Sequence, residues 1–433
     1  MDIRIEDLSN VDIEGIDEYF QRERVSFSEK IRGEVLKVIE DVALRGDDAL
    51  LEYTGYFDGV TLSQKELRVS EGEIEEASAG TDRAILRALD ESIKRVGEFH
   101  SHNLPEDWAF IDEFGNRIGQ RCIPLERVGV YVPGGKASYP STLIMTVVPA
   151  IKAGVREIAI VSPPSSFKKP SAFCAALLKL GVKVEVYRVG GVQAVAALAM
   201  GTRTIRKVDK IVGPGNVYVS FAKKELYGLV DIDMVAGPSE VCIIADGSVN
   251  PRLTAIDLLA QAEHDEDALA YCVTCSRKNA EQVRRFVVQL GLASRRRDII
   301  ERSISSNGRI YIVSDIDCAI QAANVLAPEH LELHIENAGG VLSRIRNAGA
   351  VFVGKYSAEA FGDYIAGPSH VLPTGGTARF FSPLNLLSFV RFSSLVEISK
   401  EGMKELGQHV SMLAASEGLF CHAESIELRK DEE

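Results

Sequence analysis

The sequence predicts an α/β protein built from two parallel-sheet units, with small helical extensions at both ends. The first observation behind this is a rhythm between residues 129 and 240. Short apolar runs there end in glycine turns, and each turn leads into a helical stretch. The second is the return of the same rhythm between residues 241 and 380. Strands alternating with helices of this length form parallel βαβ units. The third is size: 433 residues exceed what one core usually organises.

In chain order, residues 1–24 are polar and mixed. From Ser28 to about Ala43 the apolar positions Ile31, Val35, Val38 and Ile39 recur at helical spacing, and Arg45-Gly46-Asp47 ends that helix. Helical patterns continue to about His102, and residues 103–128 look irregular, with a short hairpin near Gly115-Asn116. Gly129-Val130-Tyr131-Val132 is a strand that ends in Pro133-Gly134-Gly135, and a helix then runs from Ser138 to about Ala153. Strands follow at 157–161, 182–189 and 208–212, with helices at 172–180, 193–200 and 217–227. Gly190-Gly191 and Gly213-Pro214-Gly215-Asn216 are further turns at strand ends, where open α/β sheets bind ligands. The second unit reads as strands at 241–245, 268–274, 309–313 and 351–353, with helices at 278–290 and 317–326. Ala327-Pro328-Glu329-His330 breaks that pattern. Beyond Pro383 a strand near 387–392 precedes helices and an acidic-basic tail.

The apolar fraction is 46% and the charged fraction 26%, as in ordinary globular proteins. A formal net charge of −13 disfavours nucleic acid and anionic membrane as partners. No apolar run approaches a membrane span, and the N-terminus has no apolar core of signal-peptide length. Seven scattered cysteines in a chain of this size point to reduced thiols and a cytoplasmic location. Cys272 and Cys275 imitate a CxxC motif, but positions three apart on a strand face opposite sides, so they read as core cysteines.

Candidate chemistry starts at Gln261-Ala262-Glu263-His264. Asn250 and Pro251 open the helix that leads there, and Gln261 and His264 share one face of it. Asp363 lies in a Gly/Pro-rich segment that runs on to His370, and such a loop must pack or bind something to be held. His422 near the C-terminus reads, taken alone, as a surface residue. Glu329-His330 offers two bases in one place, although in isolation it too reads as a loop pair. Gln261, His264, Asp363 and His422 together offer two imidazoles, one carboxylate and one amide oxygen. That set suits zinc or a similar dication, and a single anion leaves the metal open and catalytic. The glycine turns carry no G-x-G-x-x-G fingerprint, so an ordinary dinucleotide site is not supported, while their alignment in one βαβ block favours a nucleotide.

The chain resembles the histidinol dehydrogenase family over nearly its whole length. The carriers are Arg45-Gly46-Asp47 with Phe57-Asp58, Arg127 to Gly135, Gly190-Gly191-Val192-Gln193-Ala194 and Val212 to Asn216. Ala236-Gly237-Pro238-Ser239-Glu240, Gln261 to His264 and Pro328-Glu329-His330-Leu331-Glu332 continue them. Gly362-Asp363-Tyr364, His370 to Thr374, and Glu417-Gly418-Leu419 with His422 complete them. Ser369, Pro383 and Arg391 depart from the family's usual Asn, Gly and Lys without touching a candidate ligand.

The resemblance implies two incomplete Rossmann-like domains and a homodimer with shared active sites. It implies one zinc per subunit held by Gln261, His264, Asp363 and His422. Glu329 and His330 would be the acid–base pair. Tyr131, Gln193 and Asn216 would contact NAD. Ser239, His370 and Glu417 would contact substrate, together with His330 and the metal ligands. The activity implied is oxidation of L-histidinol to L-histidine through the aldehyde, using two NAD; the alternative is a related zinc/NAD dehydrogenase of another polyfunctional alcohol. The expected division is 1–24 as an N-terminal extension, 25–128 with 241–380 as the unit carrying most of the metal site, 129–240 as the NAD unit, and 381–433 as a C-terminal unit reaching the partner subunit.

Overall fold

A computed structural model of the chain describes residues 1–21, 29–102, 104–134 and 139–430. Ser28, Gly135, Ser138 and the 24/25 boundary lie outside them. Two parallel sheets dominate. The larger has six strands in the spatial order Arg4–Asp7, Arg309–Ile312, Leu269–Thr274, Glu240–Ala245, His330–His334 and Ala350–Val353. The smaller has five, in the order Glu185–Tyr187, Glu157–Val161, Arg127–Tyr131, Lys210–Val212 and Asp231–Ile232. Every neighbouring pair in both is parallel. A third, antiparallel sheet joins Trp108–Ile111, Arg117–Pro124 and Val390–Glu397.

Each parallel sheet is covered on both faces, which is why its strands read as continuous apolar runs. In the smaller sheet Val128, Val130, Ile158 and Ile160 face one helical layer, while Tyr131, Ala159 and Val161 face the other. In the larger, Val241, Ile243, Ala270 and Cys272 face the Pro251–Ala262 helix; Cys242, Ile244, Leu331 and Leu333 face the opposite layer. Cys272 therefore lies in one layer and Cys275 packs against the other, as strand alternation requires. No helix among the described residues is long and apolar enough to cross a membrane.

The packing departs from the expected division in two places. Residues 25–128 were expected to accompany 241–380. Instead Val35, Val38, Val42 and Leu50 pack on Tyr131, Ala159 and Val161, and Leu89 and Val96 on Val128 and Val130. The helices Glu29–Arg45, Asp47–Asp58 and Arg83–Ser101 thus complete the five-stranded sheet, whose short strands leave broad apolar faces to cover. Arg4–Asp7, in the stretch expected as a polar extension, is an edge strand of the six-stranded sheet, paired with Arg309–Ile312. Its burial is half-hearted, as edge strands allow, and that hides it from a pattern search. A helix at Arg297–Asn307 was also not anticipated, because charged residues dominate its first turn.

Gly213 shows how tightly the carboxyl end of the smaller sheet is built. Its φ is +114°, and a Cβ there would meet the Tyr131 carbonyl oxygen at 2.1 Å. Its N–H donates to Asp233 Oδ2 at 2.7 Å, and its carbonyl accepts from Lys223 Nζ at 3.0 Å. Gly181 also has a positive φ, +63°, but an added Cβ meets nothing within 4 Å. Gly213→Ala should therefore cost about 2–4 kcal/mol in urea denaturation, and Gly181→Ala about 1 kcal/mol. Equal costs would mean that the backbone contact at Gly213 relaxes freely.

Candidate active site

The site is assembled where the carboxyl end of one helix meets the amino end of a central strand. Asn250 caps the Pro251–Ala262 helix by accepting from Arg252 N at 3.0 Å. Thr254, Asp257 and Gln261 then fall on one face, at spacings of three and four. His264 lies just beyond the helix end, and its N–H donates to the Gln261 carbonyl at 3.1 Å, so the last turn carries both expected ligands. Opposite them, His330, Glu332 and His334 alternate onto the same face of their strand.

The expected break at Ala327-Pro328-Glu329-His330 is instead the entry to this strand. Ala327 ends the preceding helix in the left-handed region, and Pro328 turns the chain into the sheet. Glu329 and His330 are only 6% and 4% exposed, so the loop-pair reading does not hold. Glu329 Oε2 accepts from Glu240 N at 2.9 Å. His330 Nδ1 lies 3.2 Å from the Glu240 carbonyl, 3.8 Å from Glu329 Oε2 and 4.0 Å from Glu359 Oε2.

The short helix Glu359–Tyr364 brings in Asp363. Its Oδ1 is 3.7 Å from His330 Nε2 and 4.0 Å from His370 Nδ1, and its Oδ2 is 4.0 Å from His264 Nε2. One carboxylate thus faces three imidazoles. His370 is oriented by a 2.8 Å contact from Nδ1 to the Asp363 carbonyl and a 3.2 Å contact from Nε2 to Thr142 Oγ1. The Gln261 amide lies between Glu359 and the Glu240 backbone. With its nitrogen towards Glu359 it donates at 3.1 and 3.3 Å, and its oxygen accepts from Glu240 N at 3.3 Å.

Burial controls the proton affinities. It pushes Glu329 up to about 7, with the His330 charge pulling the other way. It drives Glu359 well above the usual carboxylate range and Glu240 to about 8. His330 is lowered by burial, but Glu329, Asp363 and Glu359 outweigh that and raise it to about 10. Burial would raise Asp363 as well, yet the His330 contact and the surrounding imidazoles hold it below its ordinary value. Burial lowers His264 and His370. A buried acid beside a base, both shifted upward and sharing charged neighbours, is the pattern of a proton-transfer site.

Other expected residues lie elsewhere. Ser239 is half-buried and immediately precedes Glu240. Tyr131, Gln193 and Asn216 lie at the carboxyl end of the five-stranded sheet, on a strand end and at the starts of two helices. Tyr131 Oη accepts from Gly191 N at 3.1 Å, and Asn216 caps the Val217–Leu226 helix by accepting from Val219 N at 3.1 Å. Gln193 is fully buried with neither side-chain polar atom partnered, which a ligand would remedy. Glu417 and His422 are exposed, on the two C-terminal helices Lys400–Ser416 and Phe420–Lys430, which pack on each other. Among the described residues no side-chain hydrogen bond or ion pair joins them to Asp363 or its neighbours.

Sequence reasoning missed Glu240, Glu332 and Glu359. The available signal was an acid in an otherwise apolar strand, as in Glu240-Val241-Cys242-Ile243-Ile244 and Leu331-Glu332-Leu333, and an acid one helical turn before Asp363. Glu332 also forms a buried group with Asp257 and His334, whose candidate ligand atoms lie within 4.8 Å of one another. His334 Nε2 is 3.3 Å from Glu332 Oε2 and 3.7 Å from Asp257 Oδ2. Burial raises Glu332 to about 8 and Asp257 to about 6 and lowers His334 to about 4. A proton shared between the two carboxyls, beside a neutral His334, leaves this group with a single negative charge.

A family model described as histidinol dehydrogenase matches residues 21–430. The chain is 46% identical over 418 residues to the histidinol dehydrogenase of Carboxydothermus hydrogenoformans, covering 96% of this chain and 97% of that one. It is 47% identical over 402 residues to that of Syntrophotalea carbinolica, covering 93% of each. The crystal structure of histidinol dehydrogenase from Elizabethkingia anophelis superposes with a TM-score of 0.92 at 34% identity, covering 99% of this chain and 98% of that one.

The raised Glu332 has a signed consequence for stability. The folded chain keeps a proton there to about pH 8, while the unfolded chain releases it near the ordinary 4.5. Stability tied to that proton is full below the unfolded value and is lost as pH rises through the folded one. Glu332→Gln keeps an acceptor for the Glu359 N–H, now 2.8 Å away, and carries no such proton. Its melting temperature should rise relative to the parent between pH 5 and pH 9. A constant difference across that range would contradict a protonated buried acid.

Proposed function

The chain belongs to the histidinol dehydrogenase family, and from that membership we propose that it oxidises L-histidinol to L-histidine by way of L-histidinal, as an NAD-dependent, zinc-containing homodimer of histidine biosynthesis. The observation that carries the reading is the convergence of His264, His330 and His370 on Asp363, with Glu329 beside them.

The residues fit the two groups the family implies. Gln261, His264 and Asp363, the last two 4.0 Å apart, would offer an amide, an imidazole and a carboxylate, and a second imidazole from His422 would complete a zinc set. Zinc held by these residues would supply open positions for the imidazole and amine nitrogens of the substrate, and so would help to fix the alcohol carbon. Tyr131, Gln193 and Asn216, beside the glycine turns of the smaller sheet, would hold NAD, which would supply the hydride acceptor for each oxidation. Ser239, His370 and Glu417 would bind the remaining polar groups of the substrate.

The chain's own residues then move protons. Positive charge at the ligand cluster opposes the carboxylates that hold the His330 proton, which favours the neutral imidazole. His330 takes the hydroxyl proton as the alcohol carbon gives up hydride. Glu329, whose carboxyl is tuned to about 7, takes a proton from water as that water adds to the aldehyde, while His330 returns its proton to the carbonyl oxygen, which completes the hydrate and leaves the imidazole neutral. His330 takes the hydrate's hydroxyl proton as the second hydride leaves, and the acid remains. The burial of both bases keeps bulk water from competing.

Glu329→Gln should lower the rate from histidinal about a hundredfold or more and that from histidinol to the aldehyde far less. His330→Asn should impair both steps. Stopped-flow assays on the two substrates separate them, and equal losses for Glu329→Gln would contradict the division of labour.

The shared site has its own test. In a two-fold dimer whose sites each take His422 from the other chain, a heterodimer of His330→Asn and His422→Ala has one doubly damaged site and one intact site. Co-expressed, differently tagged chains should recover up to about half of parental activity per heterodimer, although each homodimer is nearly inactive. No recovery in purified heterodimers would place His422 in its own chain's site.

A further inference from the structure

We propose that Lys223 and Asp233, a buried ion pair, are positioning residues for the coenzyme: they hold the Gly213-Pro214-Gly215-Asn216 turn in its binding shape before NAD arrives. The inference rests on the NAD reading above and deepens it. A turn with two glycines has a wide choice of backbone conformations. Ordering it only when the coenzyme binds would weaken affinity, unless the protein already holds it.

The pair is placed to do so. The two side chains are 3% and 1% exposed, and Lys223 Nζ meets Asp233 Oδ1. Between them they take both polar groups of one backbone residue. Asp233 Oδ2 accepts from Gly213 N at 2.7 Å, and Lys223 Nζ donates to the Gly213 carbonyl at 3.0 Å. The parts come from three separate elements. Gly213 follows the strand Lys210–Val212, Asp233 follows the strand Asp231–Ile232, and Lys223 lies on the helix that Asn216 caps. Helical side chains lean towards the N-terminus, so Lys223 reaches back to the turn and ties the helix to it. Asp233 is itself fixed: its Oδ1 accepts from Met234 N at 2.7 Å, and its N–H donates to the Ile211 carbonyl at 3.2 Å. Gly213, so held, lies against Tyr131, where a Cβ would meet the carbonyl oxygen at 2.1 Å. The hydroxyl of the same tyrosine accepts from Gly191 N, two residues before Gln193. The pair therefore sets how Asn216 stands relative to Tyr131 and, through Tyr131, to the second glycine turn. A buried ion pair adds little net stability by itself. What this one adds is a fixed geometry at a single turn.

The test is NADH binding to the full chain, followed by the fluorescence of NADH, with steady-state kinetics in NAD beside it. Lys223→Met with Asp233→Asn removes both charges together, so no unpaired charge is left buried. The amide still accepts from Gly213 N, but the Gly213 carbonyl loses its donor. The Kd for NADH and the KM for NAD should rise about tenfold, while kcat at saturating NAD and the KM for histidinol stay within about twofold of the parent. Lys223→Gln, one bond shorter and still able to donate to Asp233, is the second variant and faces the same criterion. Lys210→Met is the control. It breaks the 2.9 Å ion pair to Asp231, which joins the same two strands at their amino ends, and it should leave coenzyme affinity unchanged. Affinity within twofold of the parent in the Lys223 variants, or a loss no greater than that of Lys210→Met, would overturn the proposal. A fall in kcat with the KM for NAD unchanged would overturn it too, since that is a general structural defect. Gln193→Ala in the same titration keeps the two readings apart. Parental affinity in Gln193→Ala sinks the coenzyme site itself, and with it this inference. Loss in Gln193→Ala without loss in the Lys223 variants sinks only the inference.

Discussion

Everything at the candidate site turns on one buried carboxylate. Asp363 sits among His264, His330 and His370, at 3.7 to 4.0 Å from each. A carboxylate taken out of water is costly unless charge or hydrogen bonds replace the lost hydration. Here the replacement is three imidazoles drawn from three segments that are distant in the chain. The interaction therefore imposes a geometry on the fold. The helix ending at Ala262, the strand beginning at His330 and the loop leading to His370 must all arrive at the point that the Glu359–Tyr364 helix fixes.

The sheet makes that arrival possible. His330 pairs in register with Val241, and Glu332 with Ile243, so the polar face of one strand lies directly beside the apolar face of its neighbour. The Pro251–Ala262 helix covers both. Its Ala255, Leu258, Leu259 and Ala262 enter the apolar layer, while Thr254, Asp257 and Gln261 meet His334, Glu332 and the Glu359 carboxylate. A polar seam of this length inside a βα interface does not stabilise the fold by itself. It is tolerated because nearly every member has a partner, and His330 Nε2, which has no hydrogen bond, lies 3.7 Å from Asp363 at the candidate reaction centre.

Much of the fold was legible from the chain. The strand Glu157–Val161 and the helix Ala172–Leu180 lie where periodicity puts them, because both are bounded by sharp turns and are nearly all apolar. His330–His334 was not legible, since its face alternates His, Glu and His and so imitates a loop. Arg4–Asp7 was hidden by its polarity, and the partners of residues 29–101 were hidden because local pattern does not say which sheet a helix covers. At the candidate site, Gln261, His264, Glu329, His330, Asp363 and His370 were singled out by residue type and setting, and through resemblance. Glu240, Glu332 and Glu359 were missed because an isolated acid usually signals solvent. Only the three-dimensional arrangement shows these acids enclosed.

The exposed C-terminal residues are best understood through what surrounds them. His422 and Glu417 lie on helices whose outward face carries Leu406, Val410 and Leu413 at helical spacing, followed by Leu419 and Phe420, all exposed. In the antiparallel sheet, Trp108, Phe110, Phe392 and Val396 share one face by register, and all four are exposed as well. Isolated surface apolar residues need no explanation, but two grouped sets on adjoining parts of one chain do. In the proposed zinc set, His422 is the one ligand that lies on these C-terminal helices, and no hydrogen bond or ion pair among the described residues joins it to Asp363. A surface in want of cover and a site in want of a ligand are both met if the C-terminal helices of one chain lie over the site of another. That coincidence supports the shared-site dimer more strongly than either observation alone, because a purely structural dimer would account for the apolar surface and leave an exposed histidine and glutamate at its tip without a purpose.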